Sequence, residues 1–359
     1  MNKPTLSSRL AGTAALAAIL AVLSPGLSSS AHAQGCVAVR QMGDVACTIG
    51  AFEHAHVERW SVNVNYEWFE SHRHFVGREE QVHRAEQGTE VINDTHQINT
   101  RISYALSSRT TLSLDVPYFS AVRSSLYEHD RVNRHETSAQ GIGDMIVTAD
   151  WWVKDPMSEP RGNFSIGLGF KMPTGQTNIK DTFHTVNGPV VRNVDQSIQP
   201  GDGGWGFTFN VQGFQRLGQT TSLYGSLYYL ANPHETNDTY RSADPIVGTN
   251  SIPDQYQARA GLSQVLSAKH GLAASLGGII EGIPSSDLIG GDSGFRRPGY
   301  TISVEPGLSW MAERHTVSLS VPIAVDRNRV RSYADKISGR HGDAAFADYA
   351  VNVGYGYRW

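Results

Sequence analysis

The feature that most constrains this chain is a strict alternation of apolar and polar side chains, which recurs in long segments from residue 57 onward. In the first segment the apolar side chains share one face, namely Trp60, Val62, Val64, Tyr66 and Trp68. The polar side chains share the other face, namely Arg59, Ser61, Asn63, Asn65 and Glu67. Because successive side chains of a β-strand point to opposite faces, this period of two predicts a strand with one apolar and one polar face.

The number and length of these segments indicate a membrane-spanning sheet. Twelve strands are predicted, near 57–69, 95–106, 110–118, 142–153, 163–172, 205–215, 221–230, 255–265, 272–280, 300–310, 316–325 and 346–359. A tilted strand of about 9–11 residues crosses the hydrocarbon layer, whereas strands of globular proteins average about 5–6 residues. Most of the predicted strands have the longer, transmembrane length.

The connections between the strands alternate between short and long. The short turns are 107–109, 154–162, 216–220, 266–271 and 311–315. The long polar segments are 70–94, 119–141, 173–204, 231–254, 281–299 and 326–345. Bacterial outer-membrane barrels have short periplasmic turns and long extracellular loops, and a barrel leaves no open sheet edge in lipid. The sequence therefore predicts an all-β, antiparallel transmembrane barrel of about twelve strands over residues 57–359.

The two predicted faces differ in chemistry as a membrane barrel requires. The lipid face carries Leu112, Leu114, Val116, Phe164, Ile166, Leu168, Phe170, Val317, Leu319, Val321 and Ile323. Aromatic residues near the strand ends fit interfacial girdles, namely Trp60, Trp68, Trp151, Trp205, Tyr256, Tyr300, Trp310 and Tyr357. The lumen face is polar and rich in glycine, including Gly167, Gly169, Gly277 and Gly354. A narrow interior leaves little room for side chains at such positions.

Two segments precede the predicted barrel. Residues 1–33 resemble a secretory signal, with Lys3 and Arg9 before an apolar stretch and a small-x-small cleavage site at 31–33. A lipoprotein signal ending before Cys36 is the competing interpretation. The segment 34–56 holds Cys36 and Cys47, for which an oxidising compartment favours a disulfide. Their spacing fits neither a CxxC redox motif nor a four-ligand zinc site.

The charge of the chain argues against a nucleic-acid partner. Removing residues 1–33 leaves 28 of the 30 basic residues against 34 acidic ones, a net charge of −6 with neutral histidines. Nucleic-acid-binding proteins favour a basic face instead. The expected partners are outer-membrane lipids, lipopolysaccharide and a small-molecule solute.

Two short motifs resemble those of a known family. Residues 141–144 read Gly-Ile-Gly-Asp, and residues 169–175 read Gly-Phe-Lys-Met-Pro-Thr-Gly, with Met172 where leucine is commoner. They are similar to the signatures of the meta-pathway phenol-degradation outer-membrane barrels, a family distantly similar to fatty-acid outer-membrane transporters. The resemblance implies the cell outer membrane and passive uptake of small, often aromatic or apolar compounds. The C-terminal Trp359 resembles the signal that the barrel-assembly machinery reads.

Six charged residues on the polar face are the candidate lumen-lining residues: Arg59, Arg101, Asp144, Lys171, Arg259 and Glu305. Asp144 and Lys171 lie on neighbouring predicted strands, and such a pair either lines a solute path or merely neutralises charge inside the barrel. His54 with His56 and His72 with His74 could each offer two imidazoles to a metal, but the two pairs lie at opposite ends of the first strand. We therefore expect no metal and no cofactor.

Three functions are compatible with this sequence. The leading hypothesis is a channel or passive transporter for a small molecule, with no catalytic residues. A non-transporting surface barrel whose loops bind a partner is the alternative. An outer-membrane lipid hydrolase is the third hypothesis, although the sequence lacks the His-x-Ser-Asn-Gly-like motif that such enzymes carry on a strand.

Overall fold

The computed structural model describes residues 59–359. The expected signal segment 1–33 and the segment 34–56 with Cys36 and Cys47 lie outside the described residues. The proposed cleavage and disulfide therefore stay predictions.

Twelve antiparallel strands form the wall of a closed barrel, which confirms the predicted fold. The wall strands are β1 (Trp60–Val76), β2 (Ile92–Ala105), β3 (Thr110–Ser125), β4 (His135–Ile142 and Met145–Trp152), β5 (Gly162–Met172), β6 (Gly206–Arg216), β7 (Thr221–Ala231), β8 (Gln255–Ser267), β9 (Leu272–Ile283), β10 (Gly299–Ala312), β11 (His315–Ser320 and Ile323–Asn328) and β12 (Ala344–Arg358). Each strand pairs with its neighbours in sequence.

Pairing of the first and last strands closes the barrel. β1 and β12 are paired from Ser61 with Arg358 to Phe75 with Ala344, with register shifts between Phe69 and Arg73. The backbone amide of Trp60 donates to the carbonyl of Trp359 over 3.1 Å, and the reverse bond measures 3.0 Å. All edges of the wall are thereby paired, as lipid requires.

The strands extend further toward the long loops than the sequence predicted. β1 runs to Val76 rather than to residue 69, and β3 runs to Ser125 rather than to 118. The backbone pairing continues past the predicted ends, where the strict alternation stops because apolar Phe119 and Ala121 lie on the inner face. The alternation of apolar residues therefore marks the lipid layer and not the full length of the sheet.

Two wall strands are interrupted. β4 breaks at residues 143–144, and β3 pairs with both of its halves. β11 breaks at 321–322, where Pro322 has no amide hydrogen to donate to the sheet. The β4 break lies within the glycine-rich motif of residues 141–144 and brings Asp144 into the barrel interior.

The outer face of the wall is apolar, as predicted. The side chain of Leu168 on β5 is 64% exposed, and Leu112, Phe164, Phe170, Val317 and Leu319 are exposed on the same face. Rings cluster at the short-turn end, where Trp60 stacks on Trp359 at 6.5 Å and Tyr357 on Trp359 at 5.7 Å. Phe170 stacks on Trp205 at 5.1 Å toward the long-loop end. This arrangement fits two interfacial girdles.

Substitution of arginine for Leu168 tests whether this face contacts lipid. We expect Leu168→Arg to destabilise the folded barrel by about 2–4 kcal/mol, the cost of a cation near the bilayer midplane. Leu217 is a matched control, because it is 60% exposed but lies in the short turn between β6 and β7. Reversible unfolding in lipid vesicles measures both variants, and equal losses would contradict the assigned lipid face.

The long loops carry structure of their own. Two hairpins are present, Lys180–Thr185 with Gly188–Asn193 and Thr236–Tyr240 with Thr249–Ser251. The remaining short elements are a Glu79–Glu80 strand, the helices His83–Glu86 and Tyr333–Ser338, and the 3-10 turns Gln196–Ile198 and Ala268–His270. Among the described residues, no helix is long and apolar enough to cross a membrane.

The connection between β5 and β6, residues 173–205, folds back into the barrel and is called the mouth loop below. Its Val194 and Ile198 are buried against Phe119, Ala121 and Ala139 on the inner face of β3 and β4. Burying apolar side chains against this face stabilises the position of the loop inside the mouth. The mouth loop therefore covers the lumen at its long-loop end.

Candidate functional site: the lumen and its mouth

The two sequence motifs meet in the structure and bind a third segment. Nζ of Lys171 lies 3.8 Å from Oδ2 of Asp144 and contacts the carboxylate of Asp202 in the mouth loop. Asp144 also accepts hydrogen bonds from the amides of Gly175 (2.9 Å) and Asp202 (3.0 Å). Lys171 and Asp144 are both buried, so this cluster joins β4, β5 and the mouth loop in an environment that strengthens ion pairs.

Two glycines allow the mouth loop to approach this cluster. A Cβ built on Gly175 would lie 2.7 Å from the Cα of Gly201, and one built on Gly201 would lie 2.5 Å from the carbonyl oxygen of Gly175. The side chain of Thr174 fixes the same turn, because its hydroxyl donates to the carbonyl of Gly143 over 2.8 Å. The final Thr-Gly of the second motif is therefore needed for close backbone contact between the two ends of the mouth loop.

Arg101 belongs to a polar layer nearer the short-turn end. Its guanidinium makes two bonds of 2.8 Å to the carboxylate of Asp115 on β3. On the neighbouring wall, Asp150 accepts a hydrogen bond of 3.2 Å from Asn210. These four residues face the lumen and span the wall from β2 to β6.

Arg259 and Glu305 lie together on the opposite wall. Nε of Arg259 is 3.2 Å from Oε2 of Glu305, whose other oxygen accepts from Ser320 over 3.0 Å. One position closer to the mouth, Gln257 donates to Glu281 over 2.9 Å. The sequence had placed Glu281 in a loop, but β9 extends to Ile283 and carries it into the wall.

The structure does not bring Arg59 to the other five candidate residues. Arg59 is exposed at the short-turn rim, where its guanidinium lies 3.3 Å from the hydroxyl of Tyr104. Arg59 directly precedes β1, so the alternation of the strand does not orient its side chain. This position is outside the buried lumen.

Asp195 lies among three arginine side chains of the mouth. Asp195 makes two bonds of 2.8 Å to Arg297 and lies 3.5 Å from Arg241 and 3.9 Å from Arg123. It also accepts a bond of 3.0 Å from the amide of Ser197 in the mouth loop. Burial raises the pKa of Asp195, but the guanidinium groups outweigh that effect and hold the pKa well below its usual range.

A cavity of about 90 Å³ separates the mouth charges from the lower lumen. Its polar lining includes Asp144, Lys171, Asp202, Arg296 and Arg297, and its apolar lining includes Phe69, Phe119, Leu230 and Ile283. A space of this size holds several water molecules or a small solute. The cavity lies between the inner wall and the folded mouth loop.

His74, one member of the two histidine pairs, has structural contacts on both ring nitrogens. His74 is buried and bonds Asp343 through Nδ1 (2.8 Å), while its Nε2 accepts from the amide of Val91 (2.8 Å). Although burial raises the pKa of Asp343, its hydrogen bond to His74 and the charge of Arg84 lower it to about 2. His54 and His56 lie outside the described residues. Within residues 59–359, no three histidine, cysteine or acidic side chains converge to hold a metal ion.

Sequence reasoning did not single out the residues of the mouth. Asp195 and Asp202 lie in the long segment 173–204, and Arg123 lies in the predicted loop 119–141. A loop has no periodicity that shows which of its side chains point inward. Asp202 follows Pro200 and Gly201, and this short sequence does not indicate an inward-pointing side chain either.

Comparison with known proteins concerns the fold alone. No family model and no curated protein matches the chain, so its resemblance to the meta-pathway family stays a prediction. The structure is similar to an outer membrane channel from Pseudomonas putida F1, with TM-score 0.59, 14% identity, and coverage of 89% of this chain and 100% of that one.

Two further solved structures are less similar. The β domain of the Bordetella autotransporter BrkA gives TM-score 0.46 at 11% identity, covering 84% of this chain and 100% of that one. The CymD monoaromatic hydrocarbon channel gives 0.43 at 9% identity, covering 90% and 94%. Such distant likenesses carry no functional argument. The chain has the fold of an outer-membrane-type antiparallel β-barrel.

Proposed function

We propose that this protein is an outer-membrane channel that lets a small solute diffuse through its lumen. The observation that carries the proposal is the polar interior, in which ionisable side chains follow one another from the cavity beneath the mouth loop toward the short-turn end. Burying charge is costly, and an interior lined with ionisable groups rather than packed with apolar side chains supports a path for a solute. The channel reported for the similar Pseudomonas putida structure is compatible with this role.

The nature of the cavity supports a small solute. The cavity combines apolar side chains with buried charges, and ligand sites commonly pair an apolar lining with a few polar groups. The implied class of compounds, aromatic or apolar, rests on the family resemblance of the two motifs.

Flux measurements test the proposal. Purified, folded barrel is reconstituted into liposomes, and swelling is followed in isosmotic solutions of small neutral solutes such as arabinose. We expect faster swelling than in protein-free liposomes, and faster still when the mouth loop is released by Asp195→Ala. Absence of both swelling and single-channel current in the two proteins would overturn a transport role.

The folded mouth favours one alternative, a surface barrel whose loops bind a partner. Val186 and Tyr240 are exposed on the two loop hairpins, where a partner could contact them. Under this alternative, releasing the mouth loop leaves flux at the level of protein-free liposomes. The same swelling experiment therefore separates the two functions.

A further inference from the structure

A ring of carboxylates lies directly beneath the cavity. Several strands carry a cavity-lining residue and, two positions nearer the short-turn end, a residue with an oxygen atom in its side chain. Because side chains two positions apart lie on the same face of a strand, both residues face the lumen. These pairs are Phe69 with Glu67, Pro117 with Asp115, Leu230 with Tyr228, Gln255 with Gln257 and Ile283 with Glu281. A solute that leaves the cavity toward the short-turn end meets this ring next.

The ring carries a net negative charge. The carboxylate ring is defined here as Glu67, Asp115 and Glu281 directly beneath the cavity, with Asp150 and Glu305 further toward the short-turn end. Three guanidinium groups accompany it, Arg101, Arg259 and Arg327, the last of which is the register neighbour of Thr301. Five carboxylates against three cations give −2 when all are ionised. Glu67 on β1 interacts electrostatically with Glu281, Arg259 and Glu305 across the lumen, so the groups share one field.

Buried oxygen atoms without partners face the same layer. Gln257 is 5% exposed and Thr301 is 1% exposed, and neither Oε1 of Gln257 nor Oγ1 of Thr301 has a hydrogen-bond partner among the described residues. Thr301 is the register neighbour of Glu281, and Gln257 donates to Glu281 through its other atom. Unsatisfied buried acceptors are costly unless a donor or a cation occupies the space beside them.

We propose that the carboxylate ring makes the lumen selective for small cations, organic ammonium ions among them, and excludes anions. Rings of Asp and Glu side chains select cations in channels, because a low-dielectric wall strengthens their field on a passing ion. No three of these carboxylates converge on one metal position within residues 59–359. The ring therefore favours a cation that keeps its hydration shell, or an organic ammonium ion, over a tightly chelated metal. This inference rests on the proposed channel function and names the charge of its solute.

Reversal potentials under a salt gradient test the proposal with the full barrel in planar bilayers. We expect a permeability for K⁺ over Cl⁻ of roughly threefold or more, and a similar preference for tetramethylammonium. The double variant Glu67→Gln/Glu281→Gln should bring the ratio close to one, whereas Arg259→Gln should raise it. Glu70→Gln is the matched control, because Glu70 lies on β1 but is exposed outside the lumen beside His72.

The outcomes separate the ring from the channel itself. Current with no cation preference, or a preference that survives in the double variant, overturns the carboxylate ring and leaves the channel standing. Absence of current in both the wild type and Asp195→Ala overturns the channel and the ring together. Heat-dependent mobility on gels, checked for each variant, shows that the compared proteins are folded.

Discussion

Replacing Asp195 with alanine should release the mouth loop and raise the ratio of open to closed channels, and with it the mean conductance of the bilayer, about tenfold or more, the change expected for a shift of about 1.4 kcal/mol between closed and open states. Asp195 accepts hydrogen bonds from Arg297 and lies close to Arg123 and Arg241. Removing one partner of a buried pair costs about 3–5 kcal/mol, because the opposite charges are left uncompensated. Opening the loop lets water reach the three guanidinium groups, so the loss falls mainly on the closed state.

The control for this variant is Asp238→Ala. Asp238 lies in the neighbouring hairpin Thr236–Tyr240 and is exposed, so its removal should leave the conductance unchanged. Conductance is measured in planar bilayers after the folded state of both variants has been verified. A folded Asp195→Ala barrel with wild-type conductance would contradict the closing role of this carboxylate.

The pH dependence of the wild type follows from the same group. Because the arginines hold the pKa of Asp195 below its value in the unfolded chain, the stabilisation is fully present above that unfolded value and is lost as the pH falls through the folded pKa. We therefore expect constant conductance between about pH 8 and pH 5, and opening only in the region below about pH 4. Opening near pH 6 would instead implicate histidines of the long loops.

The wall of the barrel could be predicted from the sequence because lipid imposes a simple rule on it. Every second residue of β5 is apolar and lies on the outer face, so Phe164, Leu168 and Phe170 indicate the strand and the direction of its side chains. The same rule assigned Asp144 and Lys171 to the interior, where the structure places them 3.8 Å apart. Pairing of β1 with β12 follows from the predicted closure of the barrel, which leaves no open sheet edge.

The mouth could not be predicted in the same way, because its contacts join residues far apart in sequence. Arg297 lies at the end of the loop before β10, yet it binds Asp195 about a hundred positions earlier. Glu281 and Arg123 were not predicted for a different reason. They lie where β9 and β3 continue beyond the strict alternation, and a strand extension without that alternation resembles a loop in a single sequence. The carboxylate ring could not be predicted, because its residues lie on five strands whose relative positions depend on the register of the sheet.

Replacing Lys171 with methionine should be among the most destabilising single changes in the wall. Methionine fills a similar volume but leaves Asp144 and Asp202 facing each other without the buried ammonium group that lies between them. Breaking such a buried pair costs about 3–5 kcal/mol. The temperature at which the folded gel band converts to the unfolded one should fall, and urea unfolding in detergent gives the free energy directly. Lys154→Met is the control, because its exposed pair with Glu159 contributes about 0–1 kcal/mol.

A second substitution separates charge from packing at this site. If electrostatics dominate, Lys171→Met/Asp202→Asn should recover a substantial part of the loss, because one of the two opposing carboxylates is removed and Asp144 keeps its bonds from the amides of Gly175 and Asp202. If packing dominates, the double variant should be no more stable than Lys171→Met. Loss of stability as small as that of Lys154→Met would show that Lys171 does not hold the mouth loop to the wall.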